Sequence, residues 1–173
     1  MNKNKNNIEN IIKKSDISLC GKYRYSLERD WSGKDNAPYM LFVCINPSTA
    51  DAVTDDATVR KCKGFAKITG YKRIFIANIY SYRTKDWNLL LSLSQSERLG
   101  PDTDNKLIEL VSNAGLTAAA WGNLHDNLCK ERADYVIKKI RKICPLYVLG
   151  LTCQGYPVHP SRYRYGMPIL WEK

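Results

Sequence analysis

Short apolar runs of strand length alternate with amphipathic helical patterns, and this alternation limits the fold more than any other feature of the chain. Residues 39–45, YMLFVCI, form a continuous apolar run, which is typical of a strand buried on both faces. Three later apolar runs also have the length of a strand, and they are at 73–80, 116–121 and 146–151. Helical patterns separate the four strands, and they are at 55–70, 100–114 and 125–143. Such strand–helix–strand units predict a mainly parallel sheet.

We therefore predict an α/β fold, a three-layer αβα sandwich with a mainly parallel central sheet of about four strands. Residues 22–31 alternate like a half-exposed strand, and we expect them to form an N-terminal edge strand. The chain has 173 residues, which suits a single domain. We place this domain at 22–173 and interpret residues 1–21 as a polar lead-in.

Helix 55–70 carries the clearest end signals in the sequence. Thr54 or Asp55 can cap its first turn, and Gly70 suits its exit. Its apolar positions are spaced to face a core, and they are Val59, Cys62, Phe65 and Ala66.

Composition limits the partners and the compartment. The formal net charge is +10, which favours a polyanion partner such as nucleic acid. No run approaches the roughly 20 apolar residues of a membrane span, and the start of the chain lacks the apolar core of a signal peptide. We therefore expect a cytoplasmic protein that does not enter a membrane.

Cysteine and histidine usage gives little support for a metal site. The six cysteines include no C-x-x-C pair, and the chain has only two histidines. We predict reduced, structural cysteines, no metal and no cofactor.

Each of the four apolar strands has a polar stretch at or after its carboxyl end, and the second of these stretches begins within its strand. They read NPSTAD from 46, NIYSYR from 78, WGN from 121 and HPSRYRYG from 159. Because the carboxyl ends of parallel strands share one edge of a sheet, we expect these stretches to converge on one crevice.

Two of these stretches have the form X-Pro-Ser. Pro47 holds Asn46 extended and ends the strand, so the amide of Asn46 can project into the crevice. His159 precedes Pro160 and Ser161 in the same way, and an imidazole there can donate to a developing oxyanion. A plain turn asparagine and a structural histidine are the alternatives.

Other polar residues at these strand ends are candidates for binding a ligand. Asn78 interrupts an apolar strand, where it either reads a ligand edge or braces neighbouring loops. The remaining candidates are Pro47, Ser48, Asp51, Tyr80, Arg83, Trp121, Ser161, Arg162 and Tyr163. Asp51, Asp55 and Asp56 can be caps, acids or Mg²⁺ ligands, and capping is the expected role of Asp55 and Asp56.

Several of these segments carry a resemblance to known families. INPSTADAVTDDATVRKC, NIYSYR, AAAWG and LGLTCQGYPVHPSRY together resemble the domain-of-unknown-function family DUF1643, from about residue 23 to about residue 163. The order of the motifs is also similar to that of the uracil-DNA glycosylase superfamily. CINPS at 44–48, FIAN at 75–78, AAWG at 119–122 and HPS at 159–161 carry this second resemblance.

The glycosylase resemblance implies a glycosylase-like fold and a set of roles. Asn46 would position the attacking water and His159 would stabilise the departing base, while Asn78 would read the base edge. Phosphates would be held by Pro47, Ser48 and Ser161, and the loop 162–165 would fill the gap left by a flipped base. The aspartates after NPSTA have no counterpart in the glycosylases, and they favour a polar or enlarged base over uracil.

These features predict a metal-independent DNA glycosylase that removes a modified or damaged base from single- or double-stranded DNA as a monomer. Two alternatives remain open at this point. One is a hydrolase of free modified nucleosides or nucleotides. The other is a module that binds modified bases or nucleotides without catalysis.

Overall fold

The computed structural model describes residues 11–48 and 54–172. Within these ranges seven strands form one sheet in the order β1-β2-β4-β3-β5-β6-β7. The strands are β1, Ile12–Ile17; β2, Arg24–Asp30; β3, Met40–Cys44; β4, Arg73–Asn78; β5, Leu116–Ala119; β6, Leu146–Val148; and β7, Ile169–Leu170. The helices are α1, Ala57–Ile68; α2, Trp87–Ser92; α3, Gln95–Leu99; α4, Thr103–Asn113; and α5, Asn127–Arg141.

The centre of the sheet is parallel, as predicted. β4, β3, β5 and β6 lie side by side with parallel pairing. Every residue of β3 is buried, in agreement with its continuous apolar run. β4 and β5 lie on opposite sides of β3, so the direction of winding changes at β3. Ligands of such sheets bind beyond the carboxyl ends of the strands at this point.

The sheet lies between two helical layers, in agreement with the predicted three-layer sandwich. Met40 and Phe42 of β3 pack in one core with Phe65 of α1. The alternate residues Leu41 and Val43 pack in a second core that includes buried side chains of α4 and α5. Successive side chains of a strand point to opposite faces, so one apolar strand supplies both cores.

The expectation of an edge strand at 22–31 is wrong. β2 pairs antiparallel with β4 on one side and with β1 on the other, so it is covered on both edges. All but one of its residues are buried. β1 lies in the segment predicted as a polar lead-in. Its lysines, serine and aspartate are typical of an edge strand, whose polar side chains discourage pairing with other chains.

The first turn of α1 is capped by Asp56. The Oδ1 atom of Asp56 accepts a hydrogen bond of 2.8 Å from the backbone N–H of Val59. The capping role expected for Asp56 is therefore confirmed, whereas Thr54 and Asp55, the other predicted caps, lie one or two residues too early. The predicted apolar stripe of this helix is confirmed, because Val59, Cys62, Phe65 and Ala66 are its buried residues.

Asp55 does not have the capping role that was predicted for it. Its Oδ1 accepts from the Nε of Arg29 at 2.7 Å, and its Oδ2 lies 3.2 Å from the Nζ of Lys63. Arg29 is fully buried in β2. Asp55 therefore neutralises a buried cation and connects β2 to α1.

Two short elements were not predicted. α3 begins with a capping box formed by Ser94 and Glu97, and β7 adds two residues antiparallel to β6. The described helices include none with the length and apolar character needed to cross a bilayer.

Candidate functional site

A narrow polar cavity of about 100 Å³ lies at the carboxyl ends of β3 and β4. Four of the predicted site residues line it: Asn46, Ser48, Asn78 and His159. Its other walls come from β2, from the end of β3 and from the first turn of α1, including Arg24, Cys44 and Asp56. The cavity therefore brings together side chains that are separated by more than a hundred residues in the sequence.

A wider cleft of about 610 Å³ adjoins this cavity. Four predicted site residues line it: Trp121, His159, Ser161 and Arg162. Lys85, Trp87 and His125 line it as well. Because the cleft includes Ile45 after β3 and Trp121 after β5, it lies at the change of winding direction. His159 lines both spaces and so stands where they meet.

The amide of Asn46 is held in one orientation by the backbone. Its Nδ2 donates to the carbonyl of Thr84 at 2.9 Å and to that of Pro47 at 3.3 Å. The N–H of Thr84 donates in return to the carbonyl of Pro47. With its nitrogen directed at these carbonyls, Asn46 presents Oδ1 as an acceptor, which is the group needed to orient a water molecule.

The imidazole of His159 is oriented by Ser161. Its Nδ1 lies 2.8 Å from the Ser161 Oγ. Burial lowers the pKa of His159, and the nearby Arg162 guanidinium lowers it further. The ring is therefore neutral at neutral pH. When the Ser161 hydroxyl donates to Nδ1, the ring proton lies on Nε2 and can be donated to a ligand.

Asn78 is the last residue of β4, where it pairs in register with Cys44. Its side chain is 3% exposed, and its Oδ1 accepts no hydrogen bond from the described residues. A buried acceptor without a donor costs about 1–3 kcal/mol. An N–H group of a ligand in the cavity would remove this cost.

Arg24 is a residue of the site that the sequence did not indicate. It lies in β2, is 4% exposed and lines the narrow cavity. Burial and the neighbouring Arg83 lower its pKa to about 10, so its side chain is still positively charged at neutral pH. The alternating pattern of 22–31 indicated an exposed face for this arginine, and no local signal showed that other elements cover it.

The structure places Tyr80 outside the site, which corrects the prediction that it binds a ligand. Tyr80 is fully buried in the core beneath α4 and α5. Its hydroxyl is 3.0 Å from both the Gln95 Oε1 and the Leu128 carbonyl oxygen. These contacts satisfy the hydroxyl inside the protein.

Three other predicted site residues line neither the narrow cavity nor the wide cleft in the described ranges. Arg83 lines neither space and donates to the carbonyl of Gly21 at 3.0 Å. Tyr163 packs against the α1 side of the core, and its carbonyl accepts from the Nζ of Lys61 at 2.8 Å. Asp51 lies outside the described residues.

The loop 162–165 is docked on α1. The ring of Tyr165 packs edge-on against Phe65 with a centroid separation of 5.0 Å, and the Nζ of Lys61 lies 4.2 Å from the Tyr165 centroid. Arg162 and Arg164 are exposed on this loop. Arg162 also lines the wide cleft, so this loop places a cation at the cleft.

The acidic residues do not form a metal centre in the described ranges. No three His, Cys, Asp or Glu side chains come together there in a way that would hold a metal ion. Asp56 caps α1, and its Oδ2 accepts from the Ser48 hydroxyl at 3.4 Å. All six cysteines are free thiols.

Comparison with known proteins gives one match. A family model described as a protein of unknown function, DUF1643, matches residues 24–161, which contain every described side chain of the narrow cavity. No curated protein and no solved structure matches the chain.

Proposed function

Because the chain belongs to the DUF1643 family, whose description names no activity, we propose from the site itself that it is a DNA glycosylase. It would hydrolyse the N-glycosidic bond of a modified or damaged base. One observation carries this proposal: His159 lines both a narrow polar cavity and a wide cleft that carries positive charge. A flipped nucleotide needs two such spaces, one for its base and one for its sugar and phosphates.

In this arrangement the base occupies the narrow cavity. The cavity volume is only about 100 Å³, which favours a one-ring base over a two-ring base. Asn78 accepts a hydrogen bond from a ring N–H. The unpaired Oδ1 of Asn78 supports this role.

The glycosidic bond then lies beside His159, at the junction of the two spaces. The neutral imidazole donates from Nε2 to the departing base, and Asn46 Oδ1 accepts from the attacking water. The transition state resembles a sugar cation, so preorganised hydrogen bonds can supply much of the stabilisation. This mechanism uses only side chains of the protein and requires neither a metal nor a cofactor.

The sugar–phosphate backbone occupies the wide cleft. Lys85 and Arg162 are exposed cations that line it, and Ser161, whose hydroxyl contacts His159, lines it too. The formal charge of +10 supports a polyanionic substrate. The docked loop 162–165 carries Arg164 and Tyr165 to the same side, where they would contact the duplex around a flipped base.

An excision assay tests the proposal directly. We expect the protein to convert DNA carrying a susceptible base into abasic sites, which alkali cleaves and a gel resolves. The substrates are single and double strands with a panel of modified pyrimidines, assayed in EDTA. Release of base from free nucleosides alone would favour the nucleoside hydrolase instead. Tight binding without any released base would favour a binding module.

DNA affinity should depend on the cations of the wide cleft. We expect replacement of Lys85 and Arg162 by alanine to weaken DNA binding and to reduce the slope of log K against log salt, by up to about 0.9 for each phosphate that the protein no longer neutralises. Fluorescence anisotropy over a salt series measures both quantities.

The matched control for this prediction removes the same charge elsewhere. Lys138 and Lys142 are exposed at the end of α5, and neither lines the cleft. Their replacement by alanine should change the salt slope less. Equal effects of the two pairs would show that charge is spread over the surface without a defined DNA path.

A further inference from the structure

The loop 162–165 alternates two arginines with two tyrosines, in the order Arg-Tyr-Arg-Tyr. Tyr163, the residue between the arginines, has an extended backbone with a φ of −118° and a ψ of 146°. Successive side chains of an extended segment point in opposite directions. Arg162 and Arg164 therefore share the side of the loop opposite to the Tyr163 ring, and both are exposed.

Each tyrosine ring of this loop packs against a glycine. A Cβ atom on Gly64 in α1 would overlap with the ring of Tyr165. A Cβ atom on Gly150, which follows β6, would overlap with the hydroxyl end of the Tyr163 ring. Because only glycine permits such a close approach of a ring to the backbone, these two contacts fix the side of the loop that faces the protein.

Lys61 and the turn before the loop hold it as well. The Lys61 Nζ donates to the Tyr163 carbonyl at 2.8 Å and lies 4.2 Å from the centroid of the Tyr165 ring. The loop continues from a short 3₁₀ helix, in which the Arg162 N–H donates to the His159 carbonyl at 3.2 Å. Contacts within the protein therefore fix the arginines relative to His159.

We propose that the loop 162–165 is a rigid clamp for two successive phosphates of one DNA strand. Arg162 and Arg164 bind the phosphates, and Tyr163 and Tyr165 stay on the protein as anchors. Alternate residues of an extended chain are about 6.6 Å apart, which is close to the spacing of successive phosphates along a strand. A guanidinium group suits each phosphate, because it can donate two parallel hydrogen bonds. This inference rests on the proposed function for the identity of its ligand.

The clamp differs from the role that the glycosylase resemblance implies for this loop, which is to fill the gap left by a flipped base. To enter that gap, the Tyr165 ring would have to leave Phe65, Gly64 and Lys61. Arg162 lines the wide cleft, so a clamped strand passes the cleft at a fixed distance from His159. The clamp thus holds the strand and leaves the base stack unentered.

A substitution that changes no charge tests the clamp. Gly64→Ala should displace the Tyr165 ring and with it the arginines, whereas α1 should remain folded because alanine favours a helix more than glycine does. We expect this variant to bind a fluorescein-labelled single strand without modified bases about threefold to tenfold more weakly, with a smaller slope of log K against log salt. Fluorescence anisotropy measures both quantities. A duplex of the same sequence should show an equal effect, because the contacts lie on one strand.

Matched variants separate docking of the loop from other effects of the substitution. Gly166→Ala makes the same change next to the loop, where a Cβ atom meets nothing within 4 Å, and should bind DNA as the wild type does. The double variant Arg162→Ala/Arg164→Ala gives the full effect, a slope reduced by up to about 1.8. In a Tyr165→Ala background, Gly64→Ala should cost nothing more, because the ring that it displaces is already gone.

Thermal unfolding of each variant verifies that it is folded. If Gly64→Ala does not fold, two substitutions of Tyr165 decide the question and leave α1 unchanged. Tyr165→Ala removes the anchor and should weaken DNA binding, whereas Tyr165→Phe keeps the ring against Phe65 and should not.

The failures of the clamp and of the glycosylase are distinguishable, because the binding assay uses DNA without a susceptible base. Unchanged single-strand affinity in a folded Gly64→Ala variant would overturn the clamp, as would no DNA binding by the wild type. Weakening confined to the duplex would also overturn it, since that result is expected of a loop that enters the base stack. Equal weakening of both DNA forms would support the clamp even if no base is ever released.

Discussion

The variants Asn46→Ala and His159→Ala should fold and bind DNA but release base roughly a hundredfold to a thousandfold more slowly. Each removes one preorganised polar group from the reacting centre. Asn46→Ala removes the acceptor that orients water, and His159→Ala removes the donor that faces the departing base. Single-turnover base release, measured beside DNA affinity, separates the chemical step from binding.

Matched variants distinguish chemistry from folding. Asn46→Ala also removes the hydrogen bond to the Thr84 carbonyl, so its thermal unfolding has to be compared with that of the wild type. Asn113→Ala is a suitable control, because it removes an exposed asparagine that donates to the Glu109 carbonyl on α4. We expect this control to release base at the wild-type rate.

A different pattern would point to a different enzyme. If Asn46→Ala kept full activity while variants of Asp51 or Asp56 lost it, and if activity required Mg²⁺, the glycosylase proposal would be wrong. A metal-dependent phosphodiester or nucleotide hydrolase would then replace it.

The buried parallel strands were predictable from the sequence because burial on both faces requires a continuous apolar run. β3 is covered on both faces, so nearly every residue in it has to be apolar, and a run such as YMLFVCI has few other interpretations. β1 and β7 have no such apolar run. β1 is mostly polar and at least partly exposed, and β7 has only two residues. Both strands form only because a neighbouring strand pairs with them, and no local sequence pattern indicates that pairing.

The site was predictable to the extent that it follows from topology. Parallel strands place their carboxyl ends at one edge, and Asn46, Asn78 and His159 do meet at one cavity. Tyr80 comes two residues after Asn78, but β4 ends at Asn78, so the alternation of side chains stops and both Ile79 and Tyr80 pack in the core. Arg24 comes from an antiparallel strand, and the carboxyl-end rule does not apply to it.

Asp55→Ala should reduce the free energy of unfolding by about 3 kcal/mol, which is well above the roughly 1 kcal/mol expected for a lost helix cap. Its partner Arg29 has a fully buried side chain, and Asp55 itself is 15% exposed. Removing the carboxylate leaves a buried guanidinium without its counter-charge, although Arg29 still donates to the Glu28 carbonyl. Urea unfolding measures the change.

The double variant Arg29→Met/Asp55→Ala should recover most of this loss, because replacing both members of a buried pair by apolar groups is often nearly neutral. Asp35→Ala, at an exposed position, is the control and should cost little.

Acid should have the same effect as the Asp55→Ala variant, because protonation removes the charge of the Asp55 carboxylate. Burial raises the pKa of Asp55, but hydrogen bonds from Arg29 and Lys63 outweigh this effect and lower it overall. The stabilisation is therefore complete above the unfolded pKa of about 3.9 and is lost as pH falls through the lower folded pKa. If Asp55→Ala cost no more than Asp35→Ala, the pair with Arg29 would contribute nothing to stability.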